Sequence, residues 1–508
     1  MKGNTKAITL NMIANILSFG VSLVISFFLT PYITKTVGVE AYGLVGLANS
    51  FTNYITIITA AINSMASRFI IIELHRKDTK KANIYFSSVL IANVVIAIVV
   101  VAVAIPLVYN IQMLNISDNL LFDARVTFAV IIASFLINLV GAFYGIVLYA
   151  KNMIWKGALR TLESNVIRVL LIVVFFSLLT EKRIYYVSIA TAVAGVYCIA
   201  FNVYYTRQYT PELKPYRACF SLSAIKELIS AGVWNSITRL SQILLDGLDL
   251  MLSNVFINGV MTGNVSIGKT LPSLYTSVVA LLSDSFYPSF LEYYSKGDRD
   301  KLLHSIKNAI NVLSSISGVC LSLLFVYSKV FYTLWVPGTD ADLLRNITLL
   351  SAGTVFISGC IYCLYSIFSI TNKIRNNSIA LLVTGVLSIF TTFLFLKFTD
   401  AGVYAIVGVS SAYGILRNLT FTPIYAAKCL EINKFTFYPV ILKNVLNCAL
   451  LCAMNYIISI IIMPDTWLQL IFCGFVGLVL GSASTVLVVL GKNETIEIIE
   501  KVFKSRRR

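Results

Sequence analysis

Charge is what this sequence has least of. Asp, Glu, Lys and Arg make up 12% of its 508 residues, against 58% hydrophobic residues and a mean hydropathy of +0.83. Soluble globular domains carry about 25% charged residues, so a soluble enzyme or binding module is excluded. Histidine is nearly absent. His75 and His304 sit in loops far apart, which leaves no zinc site and no nucleophile–base pair. No glycine loop built to cradle phosphate and no acidic metal-binding cluster stands out. The longest expected outer loops, 110–125 and 329–345, are too short to hold the sugar- or nucleotide-handling domain of a membrane-embedded polymerase or glycosyltransferase. Disulfides are not expected either, because all nine cysteines fall in apolar spans or inner loops. Cys360-Ile-Tyr-Cys363 has redox-motif spacing, but it lies inside an apolar span and reads as packing.

What the chain does have is long apolar runs. Ala7–Thr34, Ala41–Ser67, Val126–Ala150, Asn346–Asn372 and Thr466–Gly491 each exceed the roughly 20 residues that cross a bilayer. The first is too long for the apolar core of a signal peptide and is expected to stay as helix one. The pattern predicts an all-α polytopic membrane protein of about fourteen transmembrane helices: 8–34, 41–67, 84–109, 126–149, 163–180, 184–206, 228–257, 263–290, 306–328, 346–370, 377–396, 401–427, 444–463 and 467–490. An even number puts both termini on one side. Loops on that side carry 29 of the 40 basic residues, the opposite loops 7 and the spans 4. The bias places both termini in the cytosol. The net charge of +17 therefore faces membrane headgroups rather than nucleic acid, most clearly in the tail Lys504-Ser-Arg-Arg-Arg508.

Two six-helix lobes around a central cavity are expected at 1–206 and 228–427. A cytosolic linker at 207–227 joins them, a terminal helix pair fills 428–490, and a basic tail covers 491–508. A shift of 220 residues lays Asn15 on Asn235, Ser22 on Gln242, Ser26 on Asp246 and Asp78 on Asp298, which points to a parallel internal repeat. Helix seven carries one polar stripe: Asn235, Arg239, Gln242, Asp246, Asp249 and Ser253 recur at steps of three and four. A charge facing lipid at mid-bilayer costs roughly 2.5–3.5 kcal/mol, and three on one helix on the order of 8–10 kcal/mol, so the stripe must face protein or a wet cavity. Helix one has a stripe of its own, Asn11, Asn15, Ser18, Ser22 and Ser26, for which small-residue helix packing is an equal alternative.

Phe28-Leu-Thr-Pro-Tyr-Ile33 with Gly38-Val-Glu-Ala-Tyr-Gly43, and Tyr287-Pro288 followed by Gly297-Asp298, resemble polysaccharide repeat-unit flippases. These are the O-antigen, capsule and exopolysaccharide transporters of the multidrug/oligosaccharidyl-lipid/polysaccharide exporter superfamily. The resemblance implies a two-lobed carrier in the bacterial cytoplasmic membrane that flips an undecaprenyl-diphosphate-linked oligosaccharide by alternating access. It also implies ion coupling by H+ or Na+, a groove for the lipid tail at helices thirteen and fourteen, and a polysaccharide polymerase and chain-length regulator as partners. No cofactor is called for.

The residues agree with that substrate in sign. A diphosphate needs cations away from bulk water, and arginine's planar fork suits phosphate. Arg239, Arg168, Arg417 and Arg68 are expected in the inner half of the membrane, and Lys269 in the outer half of helix eight. The resemblance to lipid II flippases, which use a basic residue in that helix, singles out Lys269. Arg68 can equally be an interfacial side chain, and Arg168 can pair with Glu163. Asp246 and Asp249 are candidates for ion coupling or gating, with a static pair between one of them and Lys269 as the alternative. Asn235, Gln242, Asn11, Asn15 and Ser22 complete the polar lining. A drug/cation antiporter of the same superfamily would need an acidic cavity, whereas these spans hold more basic residues than acids. A lipid II flippase would carry charge in helix one, which here has none.

Overall fold

The computed structural model describes residues 2–486, apart from the side chains of residues 2–9, 12 and 16. The tail expected at 491–508 lies outside the described residues. Packing divides the chain into two compact units. The first is residues 1–243 with 250–266, and the second is 244–249 with 267–508. This is a division by compactness, with bounds different from the lobes expected at 1–206 and 228–427.

In the first unit α1 is Lys2–Val37, α2 Val39–His75, α3 Thr79–Tyr109 and α4 Leu121–Gly141, which runs through a 3-10 turn, Ala142–Gly145, into α5, Ile146–Ala150. Then come α6 Ile154–Leu178, α7 Tyr185–Tyr209 and α8 Leu222–Gln242. A π-turn, Ile243–Gly247, which passes through the second unit's segment 244–249, leads to α9, Asp249–Phe256, and α10 is Gly259–Gly268. Gly38, at φ +93°, makes the turn into α2, a conformation that favours glycine. Gly43 lies so close to α10 that an added Cβ would stand 2.6 Å from the Gly263 nitrogen. The sequence motif at 38–43 thus serves a tight turn and a backbone-to-backbone contact. Leu47, Phe128, Ile172 and Ala190 are fully buried in the core where α2, α4, α6 and α7 meet.

In the second unit α11 is Thr270–Asp284, α12 Tyr287–Ser295, α13 Arg299–Trp335, α14 Ala341–Ile370, α15 Ile374–Phe398, α16 Val403–Cys429, α17 Tyr438–Ile462 and α18 Trp467–Thr485. Its core is the larger one. Ile306 and Ile310 of α13, Cys360 and Cys363 of α14, and Phe437 are all fully buried there, so the Cys-x-x-Cys spacing is packing. Amides fasten α17 to its neighbours: Asn444 Nδ2 donates to Asn311 Oδ1 at 3.0 Å, Asn455 Nδ2 to Ser322 Oγ at 3.2 Å, and Ser484 Oγ to Asn447 Oδ1 at 2.6 Å. Such bonds hold helices together where lipid offers no hydrophobic drive.

The 220-residue repeat is legible in the helix bounds. Adding 220 to Ile154–Leu178 gives Ile374–Phe398, and adding it to 121–150 gives Ala341–Ile370. The same shift carries α2 onto the stretch from the start of α10 to the end of α12. It carries Asp78 onto Asp298, and each caps its helix by accepting from the backbone N–H of the lysine three residues on. It also carries the positive-φ residues Lys77 and Asn152 onto Gly297 and Asn372, which share that conformation.

Twelve helices among the described residues are long and apolar enough to cross a membrane. The chain is an all-α polytopic membrane protein. The other two expected spans, 228–257 and 401–427, are also helical, and their polar residues keep them out of the twelve. One expectation needs correction. Helix seven is not one regular helix with a single stripe, because the π-turn at Ile243–Gly247 inserts a wider turn and breaks the 3.6-residue phase. Asp246 is accordingly exposed, while Asp249 and Ser253 are buried.

Candidate functional site

The cationic residues expected in the spans fall into two kinds. Lys269, between α10 and α11, is neutralised: its Nζ lies 2.5 Å from Asp249 Oδ2 and 3.2 Å from the Asp246 carbonyl. Asp249 is only 3% exposed, and Lys269 is half-buried. Of the two roles open to Asp249, the geometry matches the static pair. The Asp246 backbone carbonyl accepts from the lysine, and its exposed carboxylate adds to the negative field there.

The three arginines differ. No carboxylate among the described residues stands within 4.0 Å of Arg168, Arg239 or Arg417. Arg239 of α8 donates from Nε to Thr56 Oγ1 at 3.0 Å and from Nη2 to Asn53 Oδ1 at 3.4 Å, both on α2. Asn235, one turn earlier, donates to Ser64 Oγ at 3.0 Å. Arg168 is half-buried on α6 and its Nε has no hydrogen-bond partner. Glu163, the partner it was offered, instead pairs with Arg160 at 2.6 Å, because α6 begins well before residue 163 and puts Arg160 one turn from that carboxylate. Arg68 is exposed on α2, in keeping with the interfacial alternative, and Gln242 is exposed too.

Arg417 of α16 is the most buried, at 7% exposure. Its hydrogen-bond partners among the described residues are neutral. Nη2 donates to Asn377 Oδ1 at 2.5 Å, and Nη1 donates to Asn418 Oδ1 at 3.1 Å and to Tyr365 Oη at 3.4 Å. The Tyr365 hydroxyl donates to Asn418 Oδ1 at 2.7 Å, and Asn418 Nδ2 to Ser358 Oγ at 2.9 Å.

The stripe on α1 divides by function. Asn11 is structural: its Nδ2 donates to Asn152 Oδ1 at 2.9 Å, and its Oδ1 accepts from the Trp155 backbone N–H at 2.8 Å. It clamps the left-handed Asn152 turn to the start of α6. Asn15, Ser18 and Ser22 instead line a cavity of about 680 Å3 inside the first unit, with Ser22 accepting from Asn165 Nδ2 at 2.7 Å. The rest of the lining includes Asn63 and Ser67 of α2, Asn138, Phe143 and Gly145 from α4 and its turn, Tyr149, Gly157, Arg160, and Asn202 of α7. Arg160 also donates to Tyr197 Oη at 3.2 Å, the Tyr197 hydroxyl donates to Glu163, and the guanidinium stands 4.4 Å over the Phe201 ring. Sequence reasoning missed this cavity. Asn138 and Asn202, polar residues inside apolar runs, were the available signal.

A family profile described as "Polysaccharide biosynthesis protein" matches residues 6–294. A protein of Bacillus subtilis (strain 168), "Uncharacterized membrane protein EpsK", is 25% identical over 467 residues, which is 92% of each chain. Among solved structures, "Lipid II flippase MurJ, inward closed conformation" superposes with a TM-score of 0.69 at 16% identity, over 94% of this chain and 98% of that one. An inward-facing multidrug resistance MATE family transporter of the MOP superfamily gives 0.61 at 14% identity, over 84% and 98%. A MOP superfamily transporter of Pyrococcus furiosus, described by the reverse polarity of its binding pocket, gives 0.62 at 13% identity, over 84% and 96%. At these identities the likeness to solved structures is one of fold.

Proposed function

Because the chain belongs to the polysaccharide biosynthesis protein family, we propose that it flips an undecaprenyl-diphosphate-linked oligosaccharide repeat unit from the inner to the outer leaflet of the bacterial cytoplasmic membrane. It is a multi-pass membrane transporter of polysaccharide biosynthesis and not an enzyme. Its fourteen helices work in this reading as two lobes, 1–206 and 228–427, joined by 207–227 and followed by the pair at 428–490, with both termini cytosolic.

One observation carries the sign of the cargo. Arg239 and Arg417 stand against neutral amides and hydroxyls rather than carboxylates, and Arg168 Nε has no hydrogen-bond partner. Leaving a cation unpaired in a low-dielectric setting is costly, and an anionic cargo offsets that cost. Arg239, half-buried and held at Nε and Nη2, has donor capacity left for phosphate oxygens. Arg417 is wrapped by its own amides and supplies positive field instead. Lys269 is occupied by Asp249, so it serves the scaffold, and the exposed Asp246 carboxylate is the candidate for H+ or Na+ coupling. A drug/cation antiporter would leave carboxylates, not arginines, without counter-charge.

Capture of bare undecaprenyl diphosphate by immobilised full-length protein tests this. Arg239→Gln and Arg168→Gln, each checked for an unchanged melting temperature, are expected to retain at least about tenfold less lipid, about 1.4 kcal/mol. Equal retention by both variants would overturn the reading.

A further inference from the structure

The cavity inside the first unit has a lining unlike that of a phosphate or drug site. Asn15, Asn63, Asn138 and Asn202 present four amides, each both donor and acceptor. Phe143 and Tyr149 add aromatic faces. The one charge on its wall, Arg160, is cancelled by Glu163 at 2.6 Å. The volume of about 680 Å3 lies within the roughly 300–1,000 Å3 of small-molecule sites. Its rim includes Asn15 and Tyr149, both exposed, so a ligand has a way in.

The repeat sets an internal standard for this cavity. Adding 220 to Asn138, Gly145, Gly157 and Asn202 gives Ser358, Tyr365, Asn377 and Thr422. Those four surround Arg417 and Asn418 in the second unit, where Thr422 Oγ1 lies 3.5 Å from Asn418 Oδ1. Two polar positions, 138 with 358 and 202 with 422, therefore recur in both units. In the second unit tyrosine, asparagine and arginine fill the space there. In the first, two glycines stand where Tyr365 and Asn377 stand, and the space stays open.

We infer that the cavity of the first unit is a binding site for neutral sugar residues, the hydroxyl-rich head of the lipid-linked cargo. This rests on the flippase reading. Side-chain amides pair with vicinal hydroxyls as donor and acceptor together, and aromatic rings take the apolar face of a pyranose. A cavity without net charge favours a neutral sugar over an acidic one. The diphosphate is left to the arginines outside it.

The test uses the repeat's own plug. Full-length protein is immobilised and offered an equal mixture of bare undecaprenyl diphosphate and the undecaprenyl-diphosphate oligosaccharide extracted from the bacterium that carries the gene. Retained lipids are counted by mass spectrometry. The wild-type protein is expected to enrich the sugar-bearing lipid at least about tenfold, about 1.4 kcal/mol. Gly157→Asn and Gly145→Tyr, which copy the filled unit, are expected to bring the ratio to about one. Asn202→Leu, which removes an amide without filling the space, covers the case in which a plug prevents folding. No enrichment by wild-type protein, or enrichment kept by every variant that melts normally, overturns the sugar site. Failure to retain either lipid overturns the flippase reading instead.

Discussion

Gly145 and Gly157 wall a cavity in the first unit, and their counterparts 220 residues on, Tyr365 and Asn377, close on the Arg417 guanidinium in the second. Helix bounds, caps and left-handed turns recur between the halves, although the 3-10 turn at Ala142–Gly145 has no counterpart in the unbroken α14. At the two counterpart positions glycine borders the open space, and Tyr365 and Asn377 occupy the filled one. The charges follow the same logic. The first unit balances Arg160 with Glu163 beside its cavity, whereas the second leaves Arg417 to neutral groups at 7% exposure. A duplicated scaffold can thus hold two chemistries while the halves share the polar positions 138/358 and 202/422.

Removing the plug should break the comparison most severely. Arg417→Leu leaves Asn377 Oδ1 and part of the demand on Asn418 Oδ1 unmet, and each buried unsatisfied acceptor costs about 1–3 kcal/mol. A loss of about 3 kcal/mol, read as a lower melting temperature in detergent, is expected. Arg160→Leu, at the arginine beside the open cavity, should cost less, because Arg160 is more exposed and Glu163 can turn to water. Equal losses would remove the distinction between a filled and an open shell.

Next in size is the glycine contact. Gly43→Ala drives a Cβ to within 2.6 Å of the Gly263 backbone, a clash with no flexible side chain to yield, and overpacking of this kind costs about 1–3 kcal/mol. Gly353→Ala, whose Cβ meets nothing within 4 Å, is the matched control and should leave the melting temperature unchanged or raised.

The left-handed turns give a finer test. Asn152 and Asn372 share φ +54°, and replacing either by Ala costs about 1–2 kcal/mol of backbone strain. Asn152 alone also receives the Asn11 amide, while the position 220 residues after Asn11 is Ala231. Asn152→Ala should therefore be the more damaging of the two, and Asn11→Ala should remove the difference.

The smallest effect is at an exposed cap. The Lys301 side chain and backbone N–H, both hydrogen-bonded to Asp298, hold that carboxyl below its ordinary value. A lowered folded pKa adds stability above the ordinary carboxylate range, and that contribution is lost as pH falls through the lower value. Melting of wild type and Asp298→Asn should separate slightly at neutral pH and converge in acid.

Much of this was legible in the residues. Apolar runs placed the helices, and four coincidences at an offset of 220 announced the repeat that the helix bounds display. The pairing of Lys269 with a helix-seven carboxylate followed from matched depth. What the residues hid has physical causes. A π-turn has no local signature in Ile243–Gly247, so the stripe was read as unbroken and Asp246 and Asp249 as alike. The early start of α6 turned Arg160 from a loop residue into the partner of Glu163. The cavity escaped because the stripe on α1 is only one of its walls, and the others come from α2 and α4 through α7, which only packing assembles.

The most direct measurement is translocation of undecaprenyl-diphosphate oligosaccharide in proteoliposomes, under an imposed proton or sodium gradient, comparing wild type with Arg239→Ala. The account predicts gradient-dependent flipping by the wild-type protein and a loss of at least about tenfold in the variant. Flipping that survives Arg239→Ala unchanged, or export of a cationic dye with no movement of the lipid, would contradict it.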